Sequence, residues 1–119
     1  MRTCFARFSI FSALAAFAIG LPISAAASGS GGTQTLNTVN VDSSSQLIWV
    51  SGAGTWMNPD SCGRSDIVLV QMSNAYYRDM LATLIAASVS GKSVGLWLNG
   101  CSNSPWGNAP VVISVALTN

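Results

Sequence analysis

The sequence predicts a mainly β domain with one helix, folded as a small OB-like β-barrel in the order β-β-β-α-β-β and closed by one disulfide. Three observations point there. Residues Asp66 to Cys101 read in turn as an apolar strand, a helix, a glycine stop, a second strand and a cysteine. The segment before them can supply two strands and the segment after them one. Two cysteines, Cys62 and Cys101, remain once an N-terminal leader is set aside.

The leader comes first. Arg2 and Arg7 precede an apolar run from Phe8 to Gly20, Leu21-Pro22 breaks it, and Ala25-Ala26-Ala27 offers a small-residue cleavage site. This is the layout of a secretory signal peptide over residues 1–27. The run falls short of the roughly 20 residues that span a bilayer, so no membrane anchor is expected after cleavage, and the mature chain is expected to be secreted or periplasmic. Cys4 precedes the apolar run and leaves with the leader. An even pair of cysteines in an exported domain then reads as a disulfide. Metal ligation is the competing reading, but the chain has no histidine and no C-x-x-C, so no metal or cofactor is implied.

Ser28-Gly-Ser-Gly-Gly32 reads as a flexible tether over residues 28–33, ahead of a single domain at 34–119. The first strand, up to Val41, is rich in β-branched residues, and a bulge near Asn37 is needed to turn Leu36, Val39 and Val41 to one face. Asp42-Ser-Ser-Ser45 is a polar turn, and Gln46 to Ser51 is a second strand. A long loop, Gly52 to Arg64, holds Trp56 and Cys62. Ile67 to Met72 is apolar on both faces and reads as a central strand.

Ser73 or Asn74 is expected to cap a helix running to Ser90. Its buried line is Tyr77, Leu81, Leu84 and Ser88, flanked by Met80 and Ile85. Opposite lie Ala75, Asp79, Ala82 and Ala86, a nearly bare stripe where a solvated helix usually carries Lys and Glu, and hence a candidate oligomer interface. Its plainer reading is compositional, since exposed alanines cost little. Gly91 stops the helix. Ser93 to Leu98 is the next strand, Asn99 to Pro110 a second long loop with Cys101 and Trp106, and the last strand alternates with Val111, Ile113, Val115 and Leu117 inward.

Charged residues make up 8% of the 119-residue chain and apolar ones 50%, against a usual charged quarter. After cleavage Arg64, Arg78 and Lys92 face Asp42, Asp60, Asp66 and Asp79. Near-neutrality without a basic cluster argues against nucleic acid and against anionic lipid surfaces. Catalysis finds little support either: histidine is absent, and no base stands ready to activate a serine. The group Asp60, Arg64, Asp66 has a competing reading as a charged catalytic or calcium cluster, but it reads better as a turn carboxylate, Asp60, beside a surface ion pair of Arg64 with one of the carboxylates.

If Cys62 and Cys101 are bonded, the two long loops meet at one end of the barrel. Trp56 and Trp106 would then share a rim, with Asn58, Asn99, Asn103 and Asn108 as amide donors and acceptors. Indole faces stack on sugar C–H surfaces and amides bind hydroxyls, so these six residues form the candidate ligand site for a glycan. The competing reading makes both tryptophans a cover for the disulfide and the asparagines turn residues. Trp49 and Trp97, on strands, read as packing.

Tyr76 to Cys101, with its helix, the Gly91-Lys92-Ser93-Val94 strand start and the cysteine, resembles the B subunits of AB5 toxins, most nearly the subtilase-cytotoxin type. The resemblance implies an OB-fold protomer that forms a pentameric homo-oligomer, with helices lining a pore and with loops and strand edges binding host glycans. It carries no sugar-contacting residue onto this chain. The expected function is a secreted, non-catalytic binding module, a toxin-B-like glycan binder; the alternative is an envelope or secreted protein-interaction, inhibitor or structural subunit.

Overall fold

The structure, a computed structural model, describes Gly20 and residues 27–119. The expected signal peptide therefore lies outside the described residues, apart from Gly20 and Ala27. Among the described residues no helix is long and apolar enough to cross a membrane.

Six strands and one helix follow in order: β1 Gly29–Gln34, β2 Leu36–Asp42, β3 Leu47–Gly52, β4 Ile67–Gln71, α1 Tyr77–Ser90, β5 Ser93–Ser104 and β6 Gly107–Thr118. They make one mixed sheet in the order β1-β5-β6-β4-β3-β2. Its pairs are antiparallel except β4 with β6, which run parallel at Leu69 and Val111. The mainly β chain with one helix and one disulfide is as expected.

Closure is not. No ladder joins the two edges of the sheet, β1 and β2, so the expected barrel is open. The edges are nonetheless neighbours in the chain, separated only by Thr35. Thr35 pairs with neither strand, and its carbonyl instead accepts from Ala53 N at 3.0 Å. The first half of the run is thereby handed to β5 and the second half to β3.

The predicted tether is corrected with it. Gly29 to Gln34 pair with Leu98 to Val94 along β5. Gly31 is buried there, and a Cβ on it would sit 2.9 Å from Leu98 Cδ1. The absence of side chains, taken from the sequence as a sign of flexibility, lets the backbone lie against the core.

A single core fills the space between sheet and helix. It is built from Ile48 and Val50 of β3, Val68 and Val70 of β4, Met80, Leu84 and Ala87 of α1, Val94, Leu96 and Leu98 of β5, and Val112 of β6. The bulge expected at Asn37 is present as a register shift between Leu36 and Thr38; Leu36 and Val39 pack on the core, while Val41 stays 53% exposed. The helix starts at Tyr77 instead of after Asn74, whose side chain accepts from Tyr76 N at 2.9 Å in the preceding turn. Gly91 ends it in the left-handed conformation. Its inner face is turned from the expected line, with Ala87 buried and Ile85 and Ser88 outside.

The second long loop is largely strand. β5 and β6 form a hairpin whose ladder extends to Ser104 and Gly107. Its register shifts between Trp97 and Leu98, leaving Ile113 without a partner. That extra residue flips the alternation: Val112 is buried and Ile113 exposed, the reverse of the expected pattern.

Candidate functional site

The predicted disulfide exists, joining Cys62 and Cys101 across 39 positions. Around it the loop between β3 and β4 is fastened to the β5–β6 hairpin. Asp60 Oδ2 accepts from Gly100 N at 2.6 Å, Asn108 Oδ1 from Gly63 N at 3.1 Å, and Asn108 O from Arg64 N at 2.7 Å. Asn58 holds the loop internally, accepting from Cys62 N and donating to Cys62 O, both at 2.8 Å. Asn58 and Asn108 thus spend their amides on scaffolding.

The two indoles of the expected rim part company. Trp56 is 2% exposed and belongs to the core with Val68 and Val70. Trp106 packs with Ile67, Leu69, Ala109 and Trp49 in a second cluster. Alternate residues of β4 point to opposite faces of the sheet, so Trp56 lies on the helix side and Trp106 on the outer side. A shared Trp56–Trp106 rim is thereby overturned. Trp56 Nε1 is buried with no hydrogen-bond partner among the described residues. Asn99 is exposed on β5, next to the inward Leu98.

What the fold brings together instead is a groove of about 330 Å³ on the outer face, lined by Trp49, Ser51, Arg64, Asp66, Ile67 and Trp106. Strand alternation places Trp49 and Ser51 there from β3 and Ile67 from β4. The hairpin turn brings Trp106, whose ring meets Trp49 at 6.1 Å between centroids and 55° between planes. Gly107 makes the approach feasible. Its φ is +119°, and a Cβ would crowd Arg64 Cδ at 3.1 Å, a conformation that side-chain-bearing residues avoid.

Arg64 organises the groove. Its guanidinium donates to Trp106 O at 2.7 Å and to both carboxylate oxygens of Asp66, Nε to Oδ1 at 2.8 Å and the second bond from Nη2 to Oδ2. The Arg64 hydrogen bond holds the Asp66 carboxyl below its usual range, against a smaller opposing push from desolvation. The guanidinium in turn is pushed up, first by that same bond. The two charges cancel locally, so the groove offers aromatic surface and hydrogen-bonding groups without net charge. A second depression of about 260 Å³ lies on Ser45, Gln46, Leu47, Gln71, Ser73, Ser102 and Asn103; Asn103 therefore faces a hydroxyl- and amide-lined hollow.

No protein-family model, curated protein or solved structure matches this chain. Of the six candidate ligand residues, Trp106 alone lines the groove. Trp49, Ser51 and Ile67 were missed, although the outward phase of Leu47-Trp49-Ser51 was readable from alternation. Arg64 and Asp66 form the surface pair expected of them, but the Trp106 carbonyl that fixes their place is invisible in sequence. The stripe Ala75, Asp79, Ala82, Ala86 is exposed throughout.

Proposed function

We propose that this chain is an exported, non-catalytic binding module that takes an uncharged polar ligand, a glycan, in the Trp49–Trp106 groove. One observation carries the reading: two indoles meet at an open groove whose charged side chains neutralise each other. Indole faces bind the C–H surface of a sugar ring, and the Ser51 hydroxyl and the outer edges of the Arg64–Asp66 pair can meet its hydroxyls. A charged ligand would find no net counter-charge there. Cys62 and Cys101 as a disulfide support an oxidising, exported setting.

Strand order supports an OB-type protomer. If β1 and β2 count as one strand interrupted at Thr35, five strands remain, with the helix after the third and the third parallel to the fifth. Folds of that type are partly open barrels that bind oligonucleotides or oligosaccharides on strands two and three and on the loop between strands four and five. Counted so, Trp49 and Ile67 stand on strands two and three, and Trp106 on that loop. This is fold-level analogy, and the lack of a basic cluster selects the saccharide from the two ligand classes.

The test is glycan-array binding of the mature chain, followed by intrinsic fluorescence titration with any ligand found. Binding is expected to disappear in Trp106→Ala while the circular dichroism stays unchanged. Absence of any glycan ligand, or binding indifferent to Trp106→Ala, overturns the reading.

A further inference from the structure

Asp60 joins two stretches of chain that the sheet sets side by side. β1 and β5 are antiparallel with Gly29 opposite Leu98, and continuing that register sets residue 27 opposite residue 100, just past the last pair of the ladder. The Asp60 carboxylate closes that gap: Oδ2 accepts from Gly100 N at 2.6 Å, and Oδ1 accepts from Ala27 N. The same loop seats the start of the chain at two further points. Met57 N donates to Gly31 O at 3.0 Å, and a Cβ on Gly29 would lie 3.1 Å from Pro59 Cβ. Ala27 is thus brought to Asp60 by the run of β1, while the residue itself stays exposed.

Among the described residues no side-chain cation is paired with Asp60. The ion pair there is Arg64 with Asp66; the Arg64 guanidinium is spent on Asp66 and the Trp106 carbonyl, Arg78 donates to Tyr77, and Lys92 donates to Asn119. The nitrogen of Ala27 becomes a cation if the peptide bond before it is hydrolysed. Leader removal needs small residues one and three positions before the cut. Ala26 and Ser24 meet that need for a cut between Ala26 and Ala27, as Ala27 and Ala25 do for a cut one bond later. The later cut takes Ala27 away, and with it the donor on Asp60 Oδ1. The earlier cut turns that donor from an amide into an ammonium at the same place, and a charge-assisted hydrogen bond is roughly twice as strong as a neutral one. We propose that the leader is removed between Ala26 and Ala27, one bond before the end of the expected 1–27 segment, and that the α-ammonium so formed pairs with Asp60. The proposal rests on the export reading. Processing then fastens the new N-terminus to the loop that carries Cys62 and, through the same carboxylate, to the residue before Cys101.

The full chain, expressed with its leader in an exporting bacterial host, provides the test. Intact mass and N-terminal sequencing of the exported protein should give a product that starts at Ala27. Its α-amine should acylate at pH 7 roughly 2- to 5-fold more slowly than that of the peptide of residues 27–31 labelled in the same tube, the margin that an exposed ion pair supplies. Unfolding in urea should remove the difference in the wild-type protein, and Asp60→Asn should remove it in the folded one. A product that starts at Ser28 or later overturns the proposal and leaves the export reading standing. A chain that keeps its leader overturns both. An Ala27 amine as reactive as the peptide's, or one equally slow in folded Asp60→Asn, overturns the ion pair.

Discussion

Trp106 leans on Trp49 at 55°, with ring centroids 6.1 Å apart, so the tip of the β5–β6 hairpin is held against the outer face of β3. Trp106 is half-buried, and tilted aromatic pairs contribute about 0.5 to 1.5 kcal/mol beyond area burial. Trp106→Ala should therefore lower stability by about 1 to 2 kcal/mol and leave the fold intact. Urea unfolding followed by circular dichroism checks this. A loss above about 4 kcal/mol would place Trp106 in the principal core.

The glycine-rich start of the domain should behave as core. Gly31→Ala places a methyl 2.9 Å from Leu98 Cδ1 and 3.2 Å from Leu96 Cβ, an overpacking expected to cost about 1 to 3 kcal/mol. Ser28→Ala, exposed and outside β1, should be neutral within about 0.5 kcal/mol. Thermal midpoints of the two variants distinguish a strand from a linker.

Trp56 fills core volume at the expense of an indole N–H that has no partner among the described residues. An unsatisfied buried donor costs about 1 to 3 kcal/mol. Trp56→Phe, which removes the donor and some volume together, should thus cost less than 2 kcal/mol, whereas Trp56→Ala should cost about 3 to 5 kcal/mol. Denaturation of both variants tests the balance; a Phe variant as damaged as the Ala one would show that the N–H is satisfied in solution.

The acid limb of stability should depend on Asp66 and Asp42. The Arg64 hydrogen bond lowers the first, and the Ser44 hydroxyl, then the Ser45 hydroxyl, lowers the second. A carboxylate depressed in the folded state stabilises above its unfolded value, and the contribution is lost as pH falls through the folded one. The loss therefore falls below about pH 4. Asp66 is exposed and Asp42 only partly covered, so each effect is small. The chain has no histidine, the residue type whose ordinary value lies near pH 6.5, and melting temperature should be flat from pH 5 to 8. Asp66→Asn should make the acid limb shallower in a pH series of thermal melts.

Reduction should be felt globally. The Cys62–Cys101 bond closes a loop across 39 positions, corresponding to roughly 3 to 4 kcal/mol in the chain-entropy model. Cys62→Ala/Cys101→Ala should shift the urea midpoint down accordingly, and a shift near zero would show that the Asp60 and Asn108 hydrogen bonds alone fasten the loop.

Local patterns were enough for the strand-helix-strand centre, the bulge at Asn37, the stop at Gly91, the partner of Cys62 and the turn at Asp42, because each is set by residues within a few positions or by a cysteine count. They failed where a distant neighbour gave the residue its meaning. Gly29 to Gln34 pair with β5 although their composition is that of a linker. Unpartnered Ile113 reversed the facing of Val112, an outcome written in the register of β5 and not in β6. Trp56 and Trp106 have the same local setting, a tryptophan in a Gly- and Asn-rich stretch beside a cysteine. Only the sheet, by passing between them, sends one indole into the core and leaves the other at the groove, because successive residues of β4 must point to opposite sides.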